Sequence, residues 1–196
     1  MGNSSEALRL AAGAVEVFQT APADRKAEAA RALARAWRAG PLPEAPPAPT
    51  PLPLRPARPA RPELRPPREM PRRRGRQGHA ALLHALAHIE LNAVDLTWDM
   101  VGRFADRPLP RSFFDDWVRV GLEEAKHFSL LRRRLEELDS HYGALPAHHG
   151  LWEAAASTGD DLAGRLAVIP LVLEARGLDI TPPMIEKARE RGDPET

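Results

Sequence analysis

A dense run of prolines divides this chain into two parts that can fold regularly and one that cannot. Thirteen of the 21 prolines fall between Pro41 and Pro71. Each proline removes a backbone donor, and the residue before it is pushed toward extended angles. The sequence therefore predicts an extended arm over residues 41–77, between an N-terminal part, 1–40, and a longer part, 78–196.

Composition excludes several functional classes. The 196 residues include no cysteine, which excludes a disulfide framework, a thiolate zinc site and a cysteine nucleophile. Because 28 Lys and Arg nearly balance 27 Asp and Glu, the net charge gives no reason to expect a nucleic-acid partner. The longest uncharged apolar run, 166–173, is far shorter than the ~20 residues of a membrane span. No secretory signal pattern opens the chain, so we expect a cytoplasmic protein without a membrane partner.

Apolar residues at helical spacing predict an all-α fold, since β-branched residues are scarce and alternation is short. A hairpin of two helices should precede the arm, and three long helices and a short one should follow it. Gly177 should close the third long helix, and Pro170 should kink it. The predicted helices, in chain order, are 4–20, 22–39, 78–104, 112 to about 142, 151–176 and 181–192.

Four polar residues interrupt the apolar stripes of the three long helices. Glu90 lies on the first helix, Glu124 and His127 on the second, and Glu174 on the third, each three or four residues from apolar neighbours. A buried carboxylate without a partner costs several kcal/mol or takes up a proton. We therefore expect these side chains to converge on a compensating group and, without it, at least one carboxylate to have a raised pKa.

A pair of divalent metal ions would suit these residue types. Carboxylate oxygens and a neutral imidazole favour iron or manganese, and the i,i+3 spacing of Glu124 and His127 places both on one helix face. Bundles that bind two metals use one Glu on each of two helices and Glu-x-x-His on the other two. Alternatively, the same residues could form a hydrogen-bonded network without metal.

The motifs HALAHIE (84–90), EEAKHF (123–128) and LEARGLD (173–179), with the preceding arm, resemble the ferritin-like superfamily. More narrowly, they resemble the bacterial domain-of-unknown-function 455 family. The resemblance implies that Glu90, Glu124, His127 and Glu174 are metal ligands and that the complete site holds two iron or manganese ions. It also implies an O₂-dependent oxidoreductase, whose substrate and catalytic residues the motifs do not identify.

The chain departs from this pattern after Glu174, because no histidine follows and a second Glu-x-x-His is missing. We therefore expect a truncated form, namely a ferritin-like bundle lacking its last long helix and holding only part of the metal site. The uncovered stripes, with Leu86, Val94, Phe128 and Leu171, should then line an apolar groove through which the chain self-associates.

Two other functions remain open. Nine arginines between Arg55 and Arg76 could bind RNA, and some ferritin-like relatives hydroxylate modified tRNA. The interleaved residues are not aromatic, so we favour an arm lying on the bundle, with Arg65, Arg68 or Arg72 paired to its acids. The chain could also be a non-catalytic fragment or interaction module.

The remaining polar residues of these segments are predicted to have structural or solvent-facing positions. His84 and His88 lie on the opposite side of their helix from Glu90, which favours packing or capping over metal binding. Asp95, Asp99, His148 and His149 are expected to face solvent.

Overall fold

The computed structural model describes residues 2–43, 52–70 and 77–168, together with positions 183, 185, 186 and 189. Over these residues the chain is helical and contains no strand, which confirms the predicted all-α class. Contacts divide it into two compact units, Met1–His149 and Gly150–Thr196. None of the described helices is long and apolar enough to cross a membrane.

Four helices form the first unit: α1 (Gly2–Gln19), α2 (Ala23–Ala39), α3 (Gln77–Arg103) and α4 (Arg111–Glu137). Helix α1 packs on α2 and α3, and α4 packs on the same two helices, so the four close a ring around one core. Small residues on α1 and α2 let the helices approach closely. They include Ala7, Ala11, Ala14, Ala27, Ala30 and Ala34, all buried.

The N-terminal hairpin covers much of the face expected to be exposed. Val94 on α3 and Phe128 on α4 are fully buried in the shared core, so neither lines an open groove. Leu86 is partly buried against the same core, and Leu171 lies outside the described residues. Self-association of the chain stays a prediction.

Helix α4 differs from its predicted bounds at both ends. It begins at Arg111, one residue before the predicted start near Ser112, and Pro110 rather than Ser112 occupies the N-cap position. The helix ends at Glu137 because Asp139 adopts a left-handed φ of 54°. The Ser140 N–H then donates to the Leu135 carbonyl at 2.9 Å, which is the bond of a helix-ending Schellman turn.

In the second unit, one long helix over 151–176 is wrong for the described part. The structure has two short helices, α5 (Gly150–Ala156) and α6 (Leu162–Leu166), separated by a turn. The Thr158 hydroxyl donates to the Ala155 carbonyl at 3.0 Å, a local bond that competes with helix continuation. Pro170, Glu174 and most of 181–192 lie outside the described residues.

The described part of the arm, 52–70, is extended apart from a short 3₁₀ turn at Pro67–Glu69. It touches the loop after α4, where Leu64 forms an isolated bridge with Ala147. Arg65 pairs with Glu63 and Arg68 with Glu69. The expectation that these two arginines pair with acids of the bundle is therefore wrong. Arg72 lies outside the described residues.

Gly121 of α4 sets how closely that helix approaches α3. A Cβ atom there would lie 2.8 Å from Cγ2 of the buried Thr97 and 3.2 Å from the Trp98 ring. We expect G121A to lower the free energy of unfolding by about 1 to 3 kcal/mol through overpacking. Chemical denaturation should detect this loss. G159A is the control, because the nearest atom to its new Cβ is at 3.7 Å. Equal stability of the two variants would contradict the prediction.

Candidate metal centre

Three of the four predicted ligands come together between helices α3 and α4. Glu90 lies on α3, and Glu124 and His127 lie one turn apart on the facing side of α4. One potential ligand atom from each residue lies within 4.8 Å of the other two. His127 Nδ1 is 3.5 Å from Glu90 Oε2 and 3.5 Å from Glu124 Oε2. The imidazole therefore bridges the two carboxyl groups.

The three side chains differ in their access to solvent. Glu90 is 22% exposed and Glu124 17%, whereas His127 is 47% exposed. The face of α4 that packs into the core is formed by other residues, including Val118, Gly121 and Ala125. Glu124 therefore lies at the border of that core face. The carboxyl groups are thus partly withdrawn from water, with the imidazole on their open side.

Burial and mutual repulsion change the acid–base behaviour of this group. Burial raises the pKa of the Glu124 carboxyl to about 7, and a hydrogen bond and charge repulsion from Glu90 contribute to the rise. Hydrogen bonds to Glu124 and Glu90 raise the pKa of the His127 imidazole to about 10. Without metal, a protonated imidazole therefore partly neutralises two acids that would otherwise repel each other.

The remaining polar residues of these motifs lie elsewhere. Glu174 is outside the described residues, so its position relative to the other three stays a prediction. Glu123, one residue before Glu124, is exposed and pairs with Lys126 at 3.3 Å. His84 accepts a hydrogen bond from the Gly143 N–H at 2.9 Å, and His88 Nδ1 lies 2.8 Å from the Tyr142 hydroxyl. Both histidines anchor the loop after α4.

A second polar group, on another face of α3, was not predicted as a site. Asp95 and Asp99 are fully buried, so the expectation that they face solvent is wrong. Asp99 accepts a hydrogen bond from Arg103 Nε at 3.0 Å. Asp95 is bound by Lys26 of α2 and by Arg58 of the arm, whose Nη2 lies 3.1 Å from Oδ2. The arm therefore does lie on the bundle, but through Arg58.

The buried ion pair of Lys26 and Asp95 has opposing effects on its own ionisation. Burial lowers the pKa of Lys26, and the Asp95 carboxylate opposes that shift. Burial raises the pKa of Asp95, and the charges of Lys26 and Arg58 oppose it. One sequence signal could have revealed the pair. Lys26 directly precedes the buried Ala27 of α2, and Asp95 lies one turn after the buried Leu91 and between the buried Val94 and Leu96.

Comparison with known proteins places the chain among uncharacterised relatives. A profile described as "Protein of unknown function (DUF455)" matches residues 19–196. An uncharacterized protein of Haemophilus influenzae is 46% identical over 134 residues, which cover 65% of this chain and 46% of that protein. The chain thus spans about half the length of the curated relative it matches. No solved structure matches it. Because the profile match extends over most of its length, the chain belongs to the DUF455 family of proteins of unknown function.

Proposed function

We propose that Glu90, Glu124 and His127 bind a divalent transition metal, iron or manganese. The observation that carries the proposal is the convergence of their three ligand atoms within 4.8 Å. Ligands of one such ion, each about 2.0 to 2.2 Å from it, lie roughly 3 to 4 Å from one another. Small side-chain movements would therefore close the group around a cation.

The donor set and its charge support a divalent ion. Two carboxyl oxygens and one imidazole nitrogen are the donors that iron and manganese accept. The raised pKa values of Glu124 and His127 reflect a site where negative charges lie close together and take up protons to offset one another. A divalent cation could replace those protons and balance both carboxylates.

The fuller form of the proposal follows the ferritin-like resemblance. Glu174 would contribute a further ligand, and the complete family site would hold two ions. Bound iron would supply O₂-dependent redox chemistry, while the chain's own residues would orient the ions and limit access of water. The substrate is not defined by these residues. RNA binding through the arm remains a separate prediction, since Arg58 lies against Asp95 and Arg72, Arg73 and Arg74 lie outside the described residues.

Metal titration of the chelator-treated chain tests the proposal. We expect Fe(II) under anaerobic conditions and Mn(II) to bind saturably and to raise Tm. E124Q should weaken binding by about 100-fold or more, because even partners that only orient a ligand are worth 10- to 100-fold in affinity. E123Q is the matched control, one residue away on the same helix and exposed.

Two outcomes would overturn metal binding at this group. One is a failure of both metals to bind saturably, and the other is a loss of affinity in E123Q as large as that in E124Q. Oxygen consumption by the iron-loaded chain, measured separately, tests the oxidoreductase part. If the chain binds iron but does not consume O₂, the metal-site proposal is supported and the oxidoreductase proposal is contradicted.

A further inference from the structure

The buried polar group where the arm crosses α3 carries more positive than negative charge. It consists of Lys26, Arg58 and Asp95, with Asn92 beside them. Two cations and one carboxylate give a net charge of +1. That sum is the same whether the shared proton sits on Lys26 or on Asp95. Nearby Asp99 does not supply the missing charge, because Arg103 pairs with it.

Lys26 is fully engaged by its neighbours. Its ammonium group donates to the Asp95 carboxylate, to the Ala57 carbonyl at 2.8 Å and to the Phe18 carbonyl at 3.4 Å. Three acceptors match the three N–H groups of an ammonium ion. The excess positive charge therefore resides on Arg58.

Arg58 is bound on one side only. Its Nη2 donates to Asn92 Oδ1 at 2.6 Å and faces Asp95 Oδ2 at 3.1 Å. Its Nε and Nη1 atoms are buried and have no hydrogen-bond partner among the described residues. The side chain as a whole is 13% exposed.

A second buried nitrogen belongs to His88, which lies on α3 one turn before Asn92. His88 is 4% exposed, and its Nδ1 is bound to the Tyr142 hydroxyl, but its Nε2 has no hydrogen-bond partner in the part of the chain that the structure describes. Asn92 connects the two groups, because its Oδ1 accepts from Arg58 and its Nδ2 donates to the His88 carbonyl at 2.6 Å. When the Tyr142 hydroxyl donates to Nδ1, His88 Nε2 carries a hydrogen and can donate in turn.

We propose that Arg58 and His88 form a binding site for a compact monovalent anion between the arm and α3. One negative charge would neutralise the group, and the anion would accept from the otherwise unbound Arg58 nitrogens and from His88 Nε2. A metal cation does not fit, because it would face the guanidinium charge. Water could fill the hydrogen bonds but would leave the buried charge uncompensated, which is the costlier state. This inference is independent of the metal proposal.

Thermal unfolding of the chelator-treated full chain in different sodium salts tests the site. Bromide represents a spherical anion, formate represents a carboxylate, and the same salts added to R58M report general salt effects. We expect bromide or formate to raise Tm saturably by about 5 to 10 °C when its concentration is 100 times Kd. The more effective of the two identifies the class of anion. The rise should disappear in R58M and persist in R55M, since Arg55 is an exposed arginine of the same arm.

A saturable rise with bromide or formate that depends on Arg58 supports the anion site. A response that does not saturate, or one that persists in R58M, overturns it. If R58M does not fold, crystals of the unaltered chain grown in bromide and in formate decide the question. A bromide anomalous peak or formate density in contact with Arg58 Nε or Nη1 supports the site, and ordered water at that position in both crystals overturns it.

Discussion

D95N is expected to lower the free energy of unfolding of this chain by about 3 to 5 kcal/mol. Asp95 is fully buried and binds two cations, Lys26 and Arg58. Removing the charge of one partner from a buried ion pair leaves the others uncompensated, and such changes cost about that much. Tm should fall by about 10 °C or more, measured by differential scanning calorimetry at pH 7.

The charge count also predicts an asymmetry between the partners of Asp95. K26M removes one cation and leaves Asp95 and Arg58 as a neutral pair, whereas D95N leaves two buried cations together. K26M still loses its hydrogen bonds to the Phe18 and Ala57 carbonyls, which is worth about 1 to 3 kcal/mol. We therefore expect K26M to be less destabilising than D95N.

D116N is the control for both variants. Asp116 is 68% exposed and pairs with Arg119 at 3.0 Å, so its loss should cost about 1 kcal/mol or less. If K26M destabilised the chain as much as D95N, the excess of positive charge would not be what decides stability here. A D95N variant as stable as D116N would mean that the carboxylate is not needed in the buried group.

Local patterns predicted the helices well where proline and glycine mark their ends. The first long helix was expected at 78–104 and occupies Gln77–Arg103, and the second hairpin helix was expected at 22–39 and occupies Ala23–Ala39. The break between α5 and α6 was missed, although residues 157–161 read Ser-Thr-Gly-Asp-Asp and include no apolar residue. Gly159 marks a helix end and Asp161, the N-cap of α6, marks a new helix start.

Charged residues were harder to interpret because their partners are distant in sequence. Glu124 and His127 are three residues apart, and their meeting follows from helical geometry alone. Lys26 and Asp95 are separated by 69 residues, and Arg58 and Asn92 by 34. Their pairing depends on how α2 and the arm pack on α3. Composition of a single segment carries no information about that packing.

Metal binding should depend steeply on pH, because the ligands hold protons that a metal must displace. His127, with a pKa of about 10, is protonated at pH 7, and Glu124, with a pKa of about 7, is half protonated. Binding at pH 7 should therefore release about 1.5 protons. Mn(II) titration calorimetry in buffers of different ionisation enthalpy measures that number.

The apparent affinity should rise about 50-fold from pH 6 to 7, since the metal displaces the His127 proton more easily at lower proton concentration and Glu124 itself ionises over that range. From pH 7 to 8.5 it should rise about 60-fold further, because the His127 proton becomes about 30-fold easier to displace and the half-protonated Glu124 completes its ionisation. An ordinary imidazole, with a pKa near 6.5, would give an affinity that levels off above about pH 7.

E123Q should retain the steep dependence of metal affinity on pH. Two results would show that the metal does not displace a proton from the His127 imidazole held between Glu90 and Glu124. One is a plateau in affinity above pH 7 in the unaltered chain, and the other is release at pH 7 of only the roughly 0.5 proton that Glu124 supplies.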